Sequence, residues 1–317
     1  MVASLHIPTI AGWASPASLA TMITTVLFAT CIILYCFLSR ISQTHKKPKE
    51  ISERYLTLRI LGVPLDRTRE SFERDLDSIA DLVTTLNITM KPPKHVSLVP
   101  MDRHSACGTA TFCTSLPNNQ LAQQLQTASR DKGYPYRFDF ELYGITPLYE
   151  HKNDVDVDLI AVTGLGGHAF GSWKSPTSDE MWLRDYLPKD IPNHRVILYG
   201  YNTKLQGSQS KQSIEDLGAR LMESVATFRA DTETTQRPIV FIGHSLGGLV
   251  IKEALLRAYK GLGNNANLHM ACYAMLFFGV PNLGLRHKQL RTIVQGNPNK
   301  ALIESLIVDN DSEPSEY

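Results

Sequence analysis

The hydrophobic pattern divides the chain into three parts. Residues 1–39 contain no Lys, Arg, Asp or Glu, and residues 17–38 (ASLATMITTVLFATCIILYCFL) form a run whose only polar members are Ser18, Thr21, Thr24, Thr25 and Thr30. About 20 helical residues cross the hydrocarbon core of a bilayer. The run therefore predicts a transmembrane helix over 17–39 behind a short tail, 1–16. Arg40, Lys46, Lys47 and Lys49 follow at once, and a basic flank on the carboxyl side predicts that the bulk of the chain faces the cytosol. A cleaved signal peptide has a positive start and a shorter apolar core, and neither is present. A buried core helix would carry a polar face, which this run lacks.

Residues 40–53 (RISQTHKKPKEISE) read as a polar, basic linker. Beyond it, 55–63 reads as a strand and 69–83 as a helix with Phe72, Leu76, Ile79 and Leu82 on one side. Residues 95–99 and 109–114 read as strands, 119–128 as a helix, and 136–149 (YRFDFELYGITPLY) opens as an alternating strand. The order βαββαβ predicts a small ferredoxin-like module over 54–149. RNA-recognition domains share that order, but the third strand, GTATFCTS, offers Phe112 alone where base stacking needs two or three aromatics. A packing module, or one that binds a protein partner, fits better, and no nucleic-acid partner is expected.

From 150 onward, short apolar runs alternate with helical periodicity. Strands are predicted at 158–162 (DLIAV), 195–199 (RVILY), 238–242 and 270–278, with a short helix over 181–187. Ser213 and Asp216 form a capping-box-like pair ahead of Ile214, Leu217, Leu221, Val225 and Phe228 on one helix face. This predicts an α/β, doubly wound, mostly parallel sheet over 150–317 with its site at the strand carboxyl ends.

Composition narrows the function class. With 32 Lys plus Arg against 31 Asp plus Glu, the net charge is +1, which argues against a chain-wide nucleic-acid binder. Five cysteines, none in a CxxC pair, make neither a disulfide scaffold nor a structural zinc site. No metal or cofactor is expected.

The chemistry sits in RPIVFIGHSLGGLVIKEALLRAYK (237–260). Gly243-His244-Ser245-Leu246-Gly247 is a G-x-S-x-G between a buried strand and an amphipathic helix, the context this motif requires. A serine hydroxyl is a poor nucleophile unless it is held in the open beside a base. A sharp turn would project the Ser245 oxygen above the sheet, and Gly243 and Gly247 leave room for neighbouring backbone. The Leu246 N–H, at the start of the helix, can donate to a developing oxyanion. After the strand at 158–162 comes Thr163-Gly164-Leu165-Gly166-Gly167-His168, the place for a second oxyanion N–H, assigned to Leu165. A phosphate-cradling loop does not fit, since neither Gly-Lys-Ser/Thr nor G-x-G-x-x-G spacing occurs.

The segments DLIAVTGLGGHAFGSWKS, MWLRDYLPKDIPNHRVILYGYNT, FIGHSLGGLVIKEAL and LFFGVPNLG resemble the α/β-hydrolase domain of the serine-active-site-containing lipase-like proteins, which are common in fungi. The resemblance spans about residues 150–317. It implies ester hydrolysis on lipid substrates at endoplasmic-reticulum or mitochondrial membranes, with Ser245 as nucleophile and Leu165 and Leu246 as oxyanion donors. Two positions depart from the family: Thr163 stands where a histidine is common, and Val280-Pro281-Asn282 where Thr-Pro-His is common.

The rest of the triad is not evident. In this fold an Asp or Glu and then a His follow the serine. Beyond Ser245 the only histidines are His269, at the start of a strand, and His287, one loop after it, while Asp309 and Asp311 lie in a polar end. None is well placed, and the hydrolase portion is short for a complete domain. The expectation is an enzyme incomplete at its carboxyl end, with a non-catalytic interaction protein as the alternative.

Overall fold

The computed structural model describes residues 54–84, 90–204, 212–261 and 264–282, together with Leu302. The membrane helix expected over 17–39 and its linker lie outside the described residues. Among the described residues no helix is long and apolar enough to cross a membrane.

The first part is a four-stranded antiparallel sheet, β1 (Arg54–Pro64), β2 (Met90–Pro100), β3 (Ser105–Thr114) and β4 (Arg137–Asp139), in the order β2-β3-β1-β4. Helices α1 (Arg69–Thr84) and α2 (Asn118–Asp131) cover one face. Helix α1 starts where the Thr68 hydroxyl accepts the Ser71 N–H, and it buries Phe72, Leu76, Ile79 and Val83 at helical spacing. Leu58, Ile60, Ala110 and Phe112 meet them from the sheet. Phe112 is thus fully buried under the helices and presents no ring for stacking a base.

The strand expected over 136–149 is two strands. Leu142 and Gly144 adopt left-handed backbone angles, φ 54° and 77°, which end β4's direction and start β5 (Gly144–Glu150) on a new one. β5 pairs antiparallel with β7 in the second sheet, so the first module ends before it and not at 149. β2 also starts earlier than the expected 95. Pro92 and Pro93 are tolerated because β2 is an edge strand, with irregular register between Lys91 and Ser97.

The second sheet has five strands in the order β5-β7-β6-β8-β9, where β6 is Val157–Val162, β7 His194–Gly200, β8 Ile239–His244 and β9 Cys272–Phe278. All neighbours are parallel except β5 with β7. Helices α5 (Ile214–Asp231) and α6 (Leu246–Lys260) pack on one face, burying Leu217, Leu221, Val225, Val250 and Ile251 against Ile160, Val162 and Phe241. The opposite face meets Phe170, Trp173, Met181 and Leu183. Ser213 and Asp216 do form a reciprocal capping box at the start of α5. Two local expectations shift. The helix over 181–187 is two short helices, α3 (Trp182–Asp185) and α4 (Leu187–Asp190), and residues up to Ala271 belong to a helix, α7 (Asn264–Ala271), so β9 begins at Cys272 and not at 270.

The two sheets are stitched together. The face of the first sheet away from its helices carries Thr57, Arg59, Thr109 and Thr111, all buried. Arg59 donates to the Ile145 carbonyl (2.9 Å) and the Thr146 hydroxyl (3.1 Å), and Arg184 donates to Thr111 Oγ1 (3.2 Å). His95 Nε2 lies 3.1 Å from Asp179. The sheet face left open by α1 and α2 is therefore occupied by β5 and the 179–185 segment.

Candidate active site

The chain runs from β6 leftward to β7 and from β8 rightward to β9, so the loops after β6 and β8 diverge at the sheet's carboxyl edge. That is the switch point where open α/β sheets place their ligands. One of those loops is 163–170 and the other is the turn holding Ser245.

Ser245 is the only residue between β8 and α6, and it has φ 51° and ψ −125°. A side chain rarely adopts such angles, and a strained residue of this kind is held by its surroundings. Its N–H donates to the Phe278 carbonyl at 2.9 Å and its carbonyl accepts the Gly248 N–H at 3.1 Å. The glycines make this turn sterically accessible. A β-carbon on Gly243 would lie 2.7 Å from the Gly248 Cα, and one on Gly247 would strike the Val162 and Thr163 carbonyl oxygens. Ser245 is half-buried, and among the described residues its hydroxyl has no hydrogen-bond partner.

The glycine loop lies against this turn. A β-carbon on Gly164 would sit 3.1 Å from His244 Nδ1 and closer still to Ser245. Gly166 has φ 66°, and Gly167 N–H donates back to the Gly164 carbonyl at 3.1 Å. Neither the Leu165 nor the Leu246 N–H has an acceptor among the described residues. The structure thus packs Gly164, the neighbour of Leu165, against Ser245 and His244, with Leu246 following the serine and Gly243 and Gly247 shaping the turn.

Thr163 is buried and hydrogen-bonds Ser172 at 2.5 Å, while Ser172 Oγ also accepts the His168 N–H. His168 has a structural task. Its Nδ1 accepts the Phe170 and Gly171 N–H groups, which leaves the proton on Nε2 to donate to the Phe140 carbonyl at 2.7 Å. His244 packs edge-on to Trp173, with ring centroids 6.4 Å apart. Val280 fits over Gly248, and Asn282 accepts from Lys252, so both residues pack on α6.

Three features escaped sequence reasoning. The Tyr201 hydroxyl donates to the Thr163 carbonyl at 2.8 Å, the Gly166 N–H donates to the Thr203 carbonyl at 2.7 Å, and the Thr203 hydroxyl donates to the Gly167 carbonyl. The only cue was Gly200-Tyr201-Asn202 at a strand end, which does not name a partner 38 residues away. A cleft of about 600 Å³ opens nearby between Tyr143, Tyr199, Tyr201, Asn202 and Arg220, but Ser245 does not line it.

No general base for Ser245 is found among the described residues. His269 lies in the last turn of α7, before the amino end of β9 and away from the carboxyl edge. His287, Asp309 and Asp311 lie outside the described residues. No group of three or more His, Cys, Asp or Glu side chains among the described residues could hold a metal ion.

A strained serine between a parallel strand and a helix, with a glycine-rich loop packed beside it, is the local arrangement that the nucleophile turn of α/β serine hydrolases uses. Residues 159–307 match the family model described as "Putative serine esterase (DUF676)". Protein SERAC1 of Danio rerio is 28% identical over 185 residues, covering 52% of this chain and 28% of that protein. Protein SERAC1 of Homo sapiens is 28% identical over 167 residues, covering 46% of this chain and 24% of that protein. The matched stretch thus spans about a quarter of the curated relatives' length. Among solved structures, the type II thioesterase YbtT from the Yersiniabactin pathway aligns loosely, with TM-score 0.30 and 16% identity over 46% of this chain and 50% of that one.

Proposed function

We propose that the chain is a membrane-anchored serine hydrolase that cleaves carboxylic esters of lipids. Ser245 attacks the ester carbonyl, and the Leu246 and Leu165 N–H groups receive the negative charge that develops on the carbonyl oxygen. The observation that carries this reading is the Ser245 backbone, φ 51° in a residue other than glycine, in a turn packed against Gly164 of the glycine loop. The membrane anchor rests on residues 17–38 and their basic carboxyl flank, which direct the bulk of the chain to the cytosol, at an endoplasmic-reticulum or mitochondrial membrane. Lipid esters follow from that anchor and from the lipase-like resemblance.

The test is labelling with a fluorophosphonate probe in membranes, with hydrolysis of p-nitrophenyl esters alongside. The reading expects labelling and turnover that Ser245→Ala abolishes. Absence of labelling in the wild type, or labelling that survives Ser245→Ala, removes it. One observation favours a second reading, a non-catalytic interaction protein: the Ser245 hydroxyl has no hydrogen-bond partner among the described residues. That reading expects an inert wild type that still binds a protein partner.

A further inference from the structure

We infer that Tyr201, with Thr203 beside it, is a positioning residue that fixes the glycine loop in its oxyanion-binding shape; the inference rests on the serine-hydrolase reading above. The loop cannot hold itself. Gly164, Gly166 and Gly167 have no side chains to restrict φ and ψ, so many loop shapes are open to it, whereas an oxyanion donor has to be held in one. The segment just past the carboxyl end of β7 makes the selection. Tyr201 Oη holds the Thr163 carbonyl at 2.8 Å, the Thr203 carbonyl holds the Gly166 N–H at 2.7 Å, and the Thr203 hydroxyl holds the Gly167 carbonyl. Both ends of the loop are therefore tied to one three-residue strap.

The tie also reaches the nucleophile's turn. The Thr163 carbonyl that Tyr201 grips is one of the two oxygens that a β-carbon on Gly247 would strike. Loop and turn thus close on the same peptide group. Tyr201 is 7% exposed, and burial pushes its phenol well above the usual range, with Tyr199 adding to the shift. The hydroxyl therefore stays protonated and acts as a donor at any pH the protein meets. Tyr199, two residues earlier and ring-stacked on Tyr201, has its hydroxyl bonded to Ser224 and serves as the natural control.

The experiment compares wild type, Tyr201→Phe, Thr203→Val and Tyr199→Phe in ester hydrolysis. It also measures inhibition by a trifluoromethyl ketone, which forms a tetrahedral oxyanion adduct with a serine. Tyr201→Phe keeps the ring and removes only the donor. It is expected to lower kcat about tenfold, the rate equivalent of one buried hydrogen bond, to weaken the ketone by a similar factor and to leave KM unchanged, with only a small fall in the unfolding midpoint from the unpaired Thr163 carbonyl. Thr203→Val is expected to act in the same direction and Tyr199→Phe to leave kcat alone. Wild-type kcat and ketone affinity in Tyr201→Phe overturn the inference while the hydrolase reading stands. Equal losses in Tyr201→Phe and Tyr199→Phe, tracking a lowered unfolding midpoint, overturn it in favour of general packing. A wild type that neither labels nor turns over removes both.

Discussion

Gly164 and Ser245 are packed so closely that a β-carbon built on the glycine would lie 2.7 Å from the serine's own β-carbon. Real β-carbons do not approach that near, so any larger residue must push the loop off the turn. The same β-carbon would meet the His244 carbonyl at 2.8 Å, which closes the alternative direction of retreat. Gly164→Ala is therefore expected to displace the Leu165 N–H from the oxyanion position. Loss of one such donor costs about 100- to 1,000-fold in kcat. Steady-state kinetics on a p-nitrophenyl ester measure this, and wild-type turnover in the alanine variant would show that the loop has no part in the chemistry.

The backbone at Ser245 is strained. With φ 51° and ψ −125°, a residue with a β-carbon is held there at a cost of order 1–3 kcal/mol, whereas glycine adopts these angles freely. Ser245→Gly should thus be more stable than Ser245→Ala, by about 1 kcal/mol after the larger chain entropy of glycine is allowed for. Both variants lack the hydroxyl, so both should be inactive. Urea unfolding of the pair gives the difference directly. An alanine variant as stable as the glycine variant would mean that the turn is relaxed in solution.

How much of this was readable in the sequence depends on distance along the chain. The elbow is local: an apolar strand, G-x-S-x-G and a periodic helix lie within 237–260, so their geometry follows from neighbours. The same holds for the Ser213–Asp216 capping box. What sequence reasoning missed is carried by contacts between remote residues or by single backbone angles. Leu142, with φ 54°, splits an apparently continuous alternating stretch into β4 and β5, and nothing in the residue type leucine announces it. Arg59 lies within the strand expected over 55–63, and it is buried because Ile145 and Thr146 come to meet it. Tyr201 stands just past a strand end, and only the folded chain shows the Thr163 carbonyl that it binds.

Asp158 shows the same limit at the other end of the sheet. It reads as the polar start of an apolar strand, but it is fully buried among three guanidinium groups. Arg195 binds it through two bonds of 2.9 Å, Arg237 through one of 3.1 Å, and Arg229 through a shorter one. Burial pulls the Arg229 pKa down against the attraction of Asp158, and burial also pushes Glu150 up although Arg195 and Arg237 oppose it. Asp158→Asn keeps the shape and removes the charge that these cations share. Breaking a buried ion pair from one side costs about 3–5 kcal/mol, and the expected loss in unfolding free energy lies in that range. Because Asp158 sits at the amino end of β6, away from Ser245, the turnover of the folded fraction should not change. A loss below about 1 kcal/mol would show that water reaches the cluster and takes over the role of the carboxylate.

The seam between the two sheets should be acid-labile, and the sign follows from Asp185. Its carboxylate accepts from Arg184 Nε and Nη2 and from the Met181 N–H, each at 2.7 Å. Burial alone would raise its pKa, but the Arg184 bond, the Met181 amide and the charge on Arg184 outweigh burial and hold it below the usual 3.8. Asp179, facing His95, is likewise held low, with burial again outweighed, here by the His95 bond. A group whose folded pKa is depressed adds stability above its unfolded value, and that stability is lost as the pH falls through the folded value. The stability of the wild type should therefore hold from neutral pH down to about pH 4 as far as these groups are concerned, and fall below it. Asp185→Asn removes the titrating group while leaving Arg184 without its charged partner. The variant should be less stable by about 2 kcal/mol at pH 7, with a flatter acid limb, so that the two curves converge toward pH 3. Unfolding free energies measured across that range decide it: parallel curves would mean that Asp185 titrates alike in the folded and unfolded chain, and the seam would owe its strength to Arg59 and the threonines instead.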